Sequence, residues 1–573
     1  MCAVSIPRAR GMIRIMDGHT ELLRLADEYW DSVLEGAPSS ATLLGDHRFD
    51  DRIEDLSAEA DERLLARWRE LLRGVDALAV EELTPTDRIT RSLLGTELRG
   101  AIEHRQWRPA EMASDHMDGV HAGMLMMAPQ ITAPQPENAH ALVQRYRQYG
   151  DLLGKAVQRF RAGLSAGRTP ARITVRRSLN QLDSYLSSAA VTDPFATIGG
   201  PQGWDGEAAW RAELAEVTRE VVRPAFRAYR DVLHTELLPV GRPDDEPGLC
   251  WLGADGEDIY QRLLRRHTTL SDLGADEIHR LGLDELAKLR AEYATVGARL
   301  FGTDDLGEIF TRLREDPALY YADAEQIMSD ARRALSLATA EMGKWFGRLP
   351  RESCDIAPVP EFLAADAPAA YYFPPAADGS RPGTYYVNLH EPTGRGRYET
   401  AAVAYHEAIP GHHLQLTIAT ELDHLPRFQR QSFANTAFVE GWALYTERLA
   451  DEMGLYDDDL GRLGMLAGDS WRSCRLVVDT GLHAKGWSRQ RAIDFMVANA
   501  PVGLAEITVE VDRYIAMPGQ AVGYKVGQLE IQRQRRSASE RLGTDFDITA
   551  FHDAVLGSGS VSLPVLREVV AAL

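Results

Sequence analysis

The sequence predicts a mostly α-helical protein, with two helical lobes around a deep cleft and a small β-hairpin or sheet beside the helix that begins at residue 400. Three observations predict it. Apolar residues recur at three- and four-residue spacing over most of the chain, the period of an amphipathic helix. Only residues 370–389 alternate aromatic and β-branched side chains as strands do. The chain is 573 residues long, more than one hydrophobic core usually supports, so two lobes are expected.

Residues 19–107 read as helices, with Leu22, Leu23, Leu25 and Ala26 leading into Tyr29 and Trp30, and Leu64, Leu65, Trp68, Leu71 and Leu72 repeating the spacing. Asp46, His47 and Asp50 between them read as a capped turn near the cleft. Met117, Met124, Met126 and Met127 form a cluster typical of adaptable core. Long helices are expected over 139–164 and 210–238, separated by a Gly/Pro-rich loop. Arg172, Arg176 and Arg177 between them read as a solvated face. Three prolines and four glycines in 239–256 mark the best internal boundary. That gives an N-terminal helical lobe over 18–238 and a catalytic lobe over 257–573, packed as one unit. After further helices, residues 370–373 and 384–389 read as two strands around a turn at 378–383. A free strand edge there would accept an extended peptide, with Tyr386 among the substrate-binding residues. The remaining segments, 400–405, 433–453, 460–478 and 489–570, are helical.

The net charge is −22, from 63 basic and 85 acidic residues. Phosphate binding calls for a basic surface, so nucleic acid is excluded as a partner. Cys2, Cys250, Cys354 and Cys474 are far apart in sequence, which argues against a disulfide framework or a cysteine metal site. No stretch reads as a signal peptide or membrane span, and a cytoplasmic home is expected.

The chemistry concentrates in Tyr405-His406-Glu407-Ala408-Ile409-Pro410-Gly411-His412-His413 and, downstream, in Glu440-Gly441-Trp442-Ala443-Leu444-Tyr445. Two histidines, a distant carboxylate and an adjacent glutamate are what a catalytic zinc requires: three ligands, an open position and a base. The usual zinc helix spaces its histidines at i and i+4, but Pro410 stands at i+4 here. On an ideal helix His412 would lie about 120° around from His406, and His413 would sit about 10 Å along the axis. Pro410 lacks an N–H and clashes with the carbonyl of His406, while Gly411 tolerates unusual backbone angles. A bulge or local unwinding that absorbs two residues is therefore expected. Glu440, set in an apolar and aromatic run, points inward as the third ligand, and Glu447 is placed to support a ligand histidine.

These two motifs, together with Asp479-Thr480-Gly481-Leu482-His483 and Arg513-Tyr514 followed by Pro518-Gly519-Gln520-Ala521 and Tyr524-Lys525, resemble the family catalogued as domain of unknown function 885. That family is grouped with zinc peptidases similar to carboxypeptidase Taq and, more distantly, angiotensin-converting enzyme and thimet oligopeptidase. The resemblance covers nearly the whole chain and implies a helical, gluzincin-like metallopeptidase with one zinc ion. Those relatives carry the shorter motif, so the second histidine ligand is His412, on the match of Gly-His, with His413 as the alternative.

In the expected mechanism zinc is held by His406, His412 and Glu440, and Glu407 is the general base. His483 and Tyr524 are candidate donors to the oxyanion, with Tyr514 in reserve. Asp479, four residues before His483, would orient its imidazole. Arg513 offers a fork for a substrate carboxylate, and Lys525 with Gln520 is similar to the way related dipeptidases hold a C-terminus. The expected activity is hydrolysis of short peptides, of carboxypeptidase or dipeptidase type. An amidase acting on a specialised small molecule and a non-catalytic metal-stabilised binding protein are the alternatives.

Overall fold

A computed structural model describes residues 8–364, 368–375, 382–432 and 435–573. The first seven residues, positions 378–381 of the expected turn and Phe433 of the Glu440 helix lie outside the described residues. Helices run from Arg8–Gly36 to Leu563–Ala571 and enclose one small sheet. No described helix is long and apolar enough to cross a membrane.

The buried side chains form two clusters that do not follow the expected division at residue 238. The smaller core lies within 124–237. Tyr149, Phe195 and Phe226 meet at its centre, with ring centroids 5.3 to 6.0 Å apart. The larger core takes in residues 22–102 as well as 249–570, because the first helix packs against the helix Arg427–Gln431. Tyr29 meets Phe428 edge-on at 6.1 Å, and Asp31 accepts from Arg427 at 3.0 Å. The residues that read as a solvated basic face also join the parts. Arg177, on the helix Arg172–Ser187, reaches the buried carboxylate of Asp512 at 2.6 Å.

The expected helix over 210–238 is a continuous rod with two five-residue π turns, Thr218–Val222 and Leu233–Leu237. Pro224, which cannot donate a backbone bond, follows the first of them.

The expected hairpin is present, as the antiparallel pair of residues 370–373 and 384–387, and a third strand extends it into a sheet. β1 (Asp355–Pro358) pairs in parallel with β3 (Thr384–Val387), and β2 (Ala370–Phe373) pairs antiparallel with it, in the order β1-β3-β2. β3 is therefore central, and the edge beside the cleft belongs to β2.

Close helix crossing sets the site. A Cβ on Gly527 would stand 1.7 Å from the carbonyl oxygen of Ala437, and one on Gly441 would stand 2.5 Å from the backbone of Gly527. Only glycine lets the helices Thr436–Glu452 and Val522–Leu542 approach so closely. That contact places Glu440 and Tyr524 on neighbouring walls of one cleft.

Candidate metal centre

The helix Thr400–Glu407 ends at Glu407, and a new helix, His412–Thr420, begins at His412. The expected bulge or local unwinding is thus an unwinding that breaks the helix completely. Ala408 and Gly411 leave helical geometry at ψ −106° and −129°. Gly411 is obligatory, since a Cβ there would lie 1.9 Å from the carbonyl oxygen of His406. The Glu440 helix grips the break at two points. The Trp442 indole N–H donates to the Pro410 carbonyl at 3.0 Å, and the Thr446 hydroxyl donates to that of Tyr405 at 3.1 Å.

As a result the rings of His406 and His412 stand 4.9 Å apart and perpendicular. Glu440 Oε2 lies 3.7 Å from His406 Nε2 and 3.4 Å from His412 Nε2. These separations are longer than good hydrogen bonds. They match the edge of a tetrahedron of ligands at about 2.0–2.1 Å from one centre, roughly 3.4 Å. Ligand atoms of all three residues lie within 4.8 Å of one another.

The electrostatics fit a cation. Burial alone would lower the His406 imidazole, but Glu440 and Glu447 outweigh it and raise it to about 9. Burial alone would raise the Glu440 carboxyl, but the two histidines hold it well below the usual range. Glu447 Oε1 accepts from His406 Nδ1 at 2.7 Å, which turns Nε2 toward Glu440. Two imidazoles and a carboxylate are a donor set suited to zinc.

His413 faces elsewhere. Its Nε2 donates to the Glu352 carbonyl at 3.1 Å, and its Nδ1 accepts from the Tyr372 hydroxyl at 2.9 Å. Of the two candidate second ligands, His412 is the one that converges with His406 and Glu440.

The three residues open onto a cavity of about 1660 Å³ that Glu407 and Tyr524 also line. Glu407 Oε2 accepts from the Tyr372 backbone N–H of β2 at 3.0 Å. The Arg475 guanidinium lies 4.4 Å from the centre of the Tyr524 ring. Burial first, and Glu440 second, raise the Tyr524 phenol.

The family described as "Bacterial protein of unknown function (DUF885)" matches residues 38–570. The chain belongs to the DUF885 family. It is similar in structure to the "putative lipoprotein from Colwellia psychrerythraea", with a TM-score of 0.90, 27% identity, and coverage of 97% of this chain and 99% of that one. A "putative lipoprotein of unknown function from Shewanella oneidensis" shares the fold at a TM-score of 0.75 and 18% identity, over 96% of this chain and 99% of its own. No curated protein matches.

Several expected residues of this DUF885 chain are engaged away from the metal centre. His483 donates from Nε2 to the Tyr514 carbonyl at 2.9 Å and accepts at Nδ1 from the Leu249 N–H at 3.2 Å. Both ring nitrogens are used and burial lowers it to about 4, so it has no donor left for an oxyanion. Asp479 does not orient it; its carboxylate instead takes the Tyr260 hydroxyl at 2.6 Å and the Gly519 N–H at 3.0 Å. Lys525 is buried against Asp469 and, at 3.3 Å, Glu285. The Tyr514 hydroxyl donates to Glu510 at 2.7 Å and accepts from Arg475 at 2.9 Å. Tyr386 stacks on Tyr371 at 5.1 Å within the sheet. Arg513 lines the cavity, but Glu510 takes two of its nitrogens at 2.9 Å each and Gln520 the third at 2.8 Å.

Sequence reasoning missed Tyr372, Glu399, Glu510, Arg472 and Arg475, all on the cleft wall. The signal available was periodic. Gly464, Ala467, Gly468, Trp471, Arg472 and Arg475 follow helical spacing along one face of the helix Asp459–Ala484 and line the cavity.

Proposed function

We propose that this DUF885 protein is a zinc metallopeptidase that hydrolyses peptide bonds in short peptides. The observation that carries the reading is the convergence of His406, His412 and Glu440 beside Glu407 on the wall of a deep cleft. Its resemblance to zinc peptidases such as carboxypeptidase Taq points the same way. Bound by these three residues, zinc supplies Lewis acidity and lowers the pKa of water at its open position.

The chain's own groups do the rest. Glu407, held by the Tyr372 N–H, takes the proton of the attacking water and passes it to the leaving amine. A structural metal site needs no such base. Tyr524 stays protonated under burial and the field of Glu440, and its hydroxyl donates to the developing oxyanion. Glu447 fixes the tautomer of His406. The edge of β2, with Tyr371 and Tyr372 on the cleft, offers main-chain groups to an extended peptide.

The cavity has room for a peptide several residues long. About 1660 Å³ exceeds the roughly 300–1,000 Å³ of small-molecule pockets. Cys250, Cys354 and Cys474 are free thiols, which fits a reducing compartment and a cytoplasmic location. Fractionation that finds the protein in the cell envelope, where the lipoprotein description of its neighbours would put it, overturns that placement.

The test is turnover of a short-peptide library by wild type and Glu407→Gln, with zinc content measured on both. Zinc retained and hydrolysis lost in the variant supports the mechanism. Hydrolysis that persists removes Glu407 from it, and turnover of acyl-amino acids alone favours the amidase.

A further inference from the structure

We infer that Arg395 and Arg472 form the receptor for a carboxylate of the substrate peptide, in place of Arg513. This rests on the peptidase reading for the word substrate, but the site itself is read from the cleft wall. Arg513 is already satisfied by Glu510 and Gln520. Arg475 gives Nε to Tyr514 and Nη2 to Glu510, each at 2.9 Å, which leaves only its buried Nη1 without a partner. Arg351 and Arg430, also on the wall, pair with Glu421 and Asp423, and among the described residues of the wall Arg395 and Arg472 are the guanidinium groups with no carboxylate within hydrogen-bond reach.

Arg395 is partly buried on the cavity wall and has no hydrogen-bond or ion-pair partner for its side chain among the described residues. Its backbone is fixed on both sides. The N–H donates to the Pro392 carbonyl at 3.0 Å, and the carbonyl accepts from the Tyr321 N–H at 3.1 Å. Burial lowers its pKa, the mark of a charge removed from water without full compensation. Arg472 makes one long bond to the Gly468 carbonyl, at 3.3 Å, and approaches Glu447 only to 3.7 Å. Its Nε is buried without a partner, and its guanidinium lies over the Trp471 ring at 5.3 Å.

Arg395, Arg472, Glu399 and Glu506 line the same cavity, and burial raises the two carboxyls while both guanidinium groups lower them. The charge there favours an anion, although the chain as a whole carries −22. Arg395, Arg472, Arg475 and Arg513 stand against Glu399, Glu447, Glu506 and Glu510. Glu399 is pushed up to about 7 by burial and then by Glu506, so it carries only part of its charge near neutral pH. An arriving carboxylate therefore finds a small positive excess and guanidinium N–H groups that lack acceptors.

Glu399 immediately precedes the helix Thr400–Glu407, which puts it about 10 Å along the axis from His406. An extended peptide covers that distance in about three residues. Arg472 lies nearer, 3.7 Å from the Glu447 oxygen that accepts from His406 at 2.7 Å, so the ligand is a short peptide whose free C-terminus, or an acidic side chain, lies within about three residues of the bond at the metal.

The experiment is calorimetric binding of three probes to the full-length, zinc-loaded Glu407→Gln protein: acetyl-tetraalanine acid, its amide, and the same amide with glutamate as last residue. Binding of the acid about tenfold or more tighter than the amide is expected. The glutamate amide tells a terminal carboxylate from a side chain. Arg395→Met and Arg472→Met, checked for folding by thermal melts, each bring acid and amide to within about twofold, while Arg395→Lys keeps part of the preference. Acid and amide binding alike in the parent, including no measurable binding of either, overturns the proposal, as does a preference that survives both methionine variants. Hydrolysis by the wild-type chain is scored separately: its absence with the preference intact sinks the peptidase reading alone.

Discussion

Replacing Glu447 by glutamine leaves an oxygen for His406 Nδ1 but removes the charge behind it. The bond is 2.7 Å long and the carboxylate is 2% exposed, so solvent cannot substitute for it. A hydrogen bond to a charged group is worth about 1.5–3 kcal/mol and a neutral one about 1 kcal/mol. The difference, about 1–2 kcal/mol, corresponds to roughly 5- to 30-fold in zinc affinity. That overlaps the 10- to 100-fold range typical of carboxylates behind ligand histidines. Competition for zinc against a chromophoric chelator at pH 7.5, in wild type and Glu447→Gln, measures it directly. Glu447→Leu, which strands the buried Nδ1–H, is expected to lose more. Affinity unchanged within about twofold in both variants would refute the claim that this contact supports the metal.

Gly527→Ala forces a Cβ to within 1.7 Å of the Ala437 oxygen, and both helices must separate; a loss of about 3 kcal/mol or more is expected, read as a lower urea midpoint. A wild-type midpoint would show that the crossing tolerates a methyl. Asp479 is raised from 3.8 to about 7, chiefly by burial, so between about pH 4 and 7 the native state binds the proton more tightly than the unfolded chain. Stability from this group therefore falls as pH rises through that window, by up to about 4 kcal/mol. Asp479→Asn flattens the slope, and urea midpoints at pH 5 and pH 8 check it: parallel slopes for wild type and variant would contradict the assignment.

The convergence of His406, His412 and Glu440 was legible because the signals for it are local. A histidine beside a glutamate, a proline and glycine that disrupt a helix, and a carboxylate inside an apolar run each announce themselves within a few residues. The extent of the disruption was not legible, since a bulge and a full break both follow from Pro410. The break is fixed by Trp442, 32 positions away. Residues read as catalytic by type failed for the same reason. His483 looks like a donor until the Leu249 N–H, 234 positions away, occupies it. Lys525 looks free until Asp469, 56 positions away, neutralises it. β1 went unread because the four residues Asp355–Pro358 carry no alternation, and a strand that short is defined by its partner. The division into cores was hidden because helices of both carry the same apolar period, which says that a face is buried but not against what.

The central claim is that His406, His412 and Glu440 hold one zinc ion. Zinc content of the purified chain, compared between His412→Ala and His413→Ala, tests it most directly. One zinc per chain in wild type and in His413→Ala, with none in His412→Ala, is the predicted result. Zinc retained in full by His412→Ala, or lost only with His413, would contradict it.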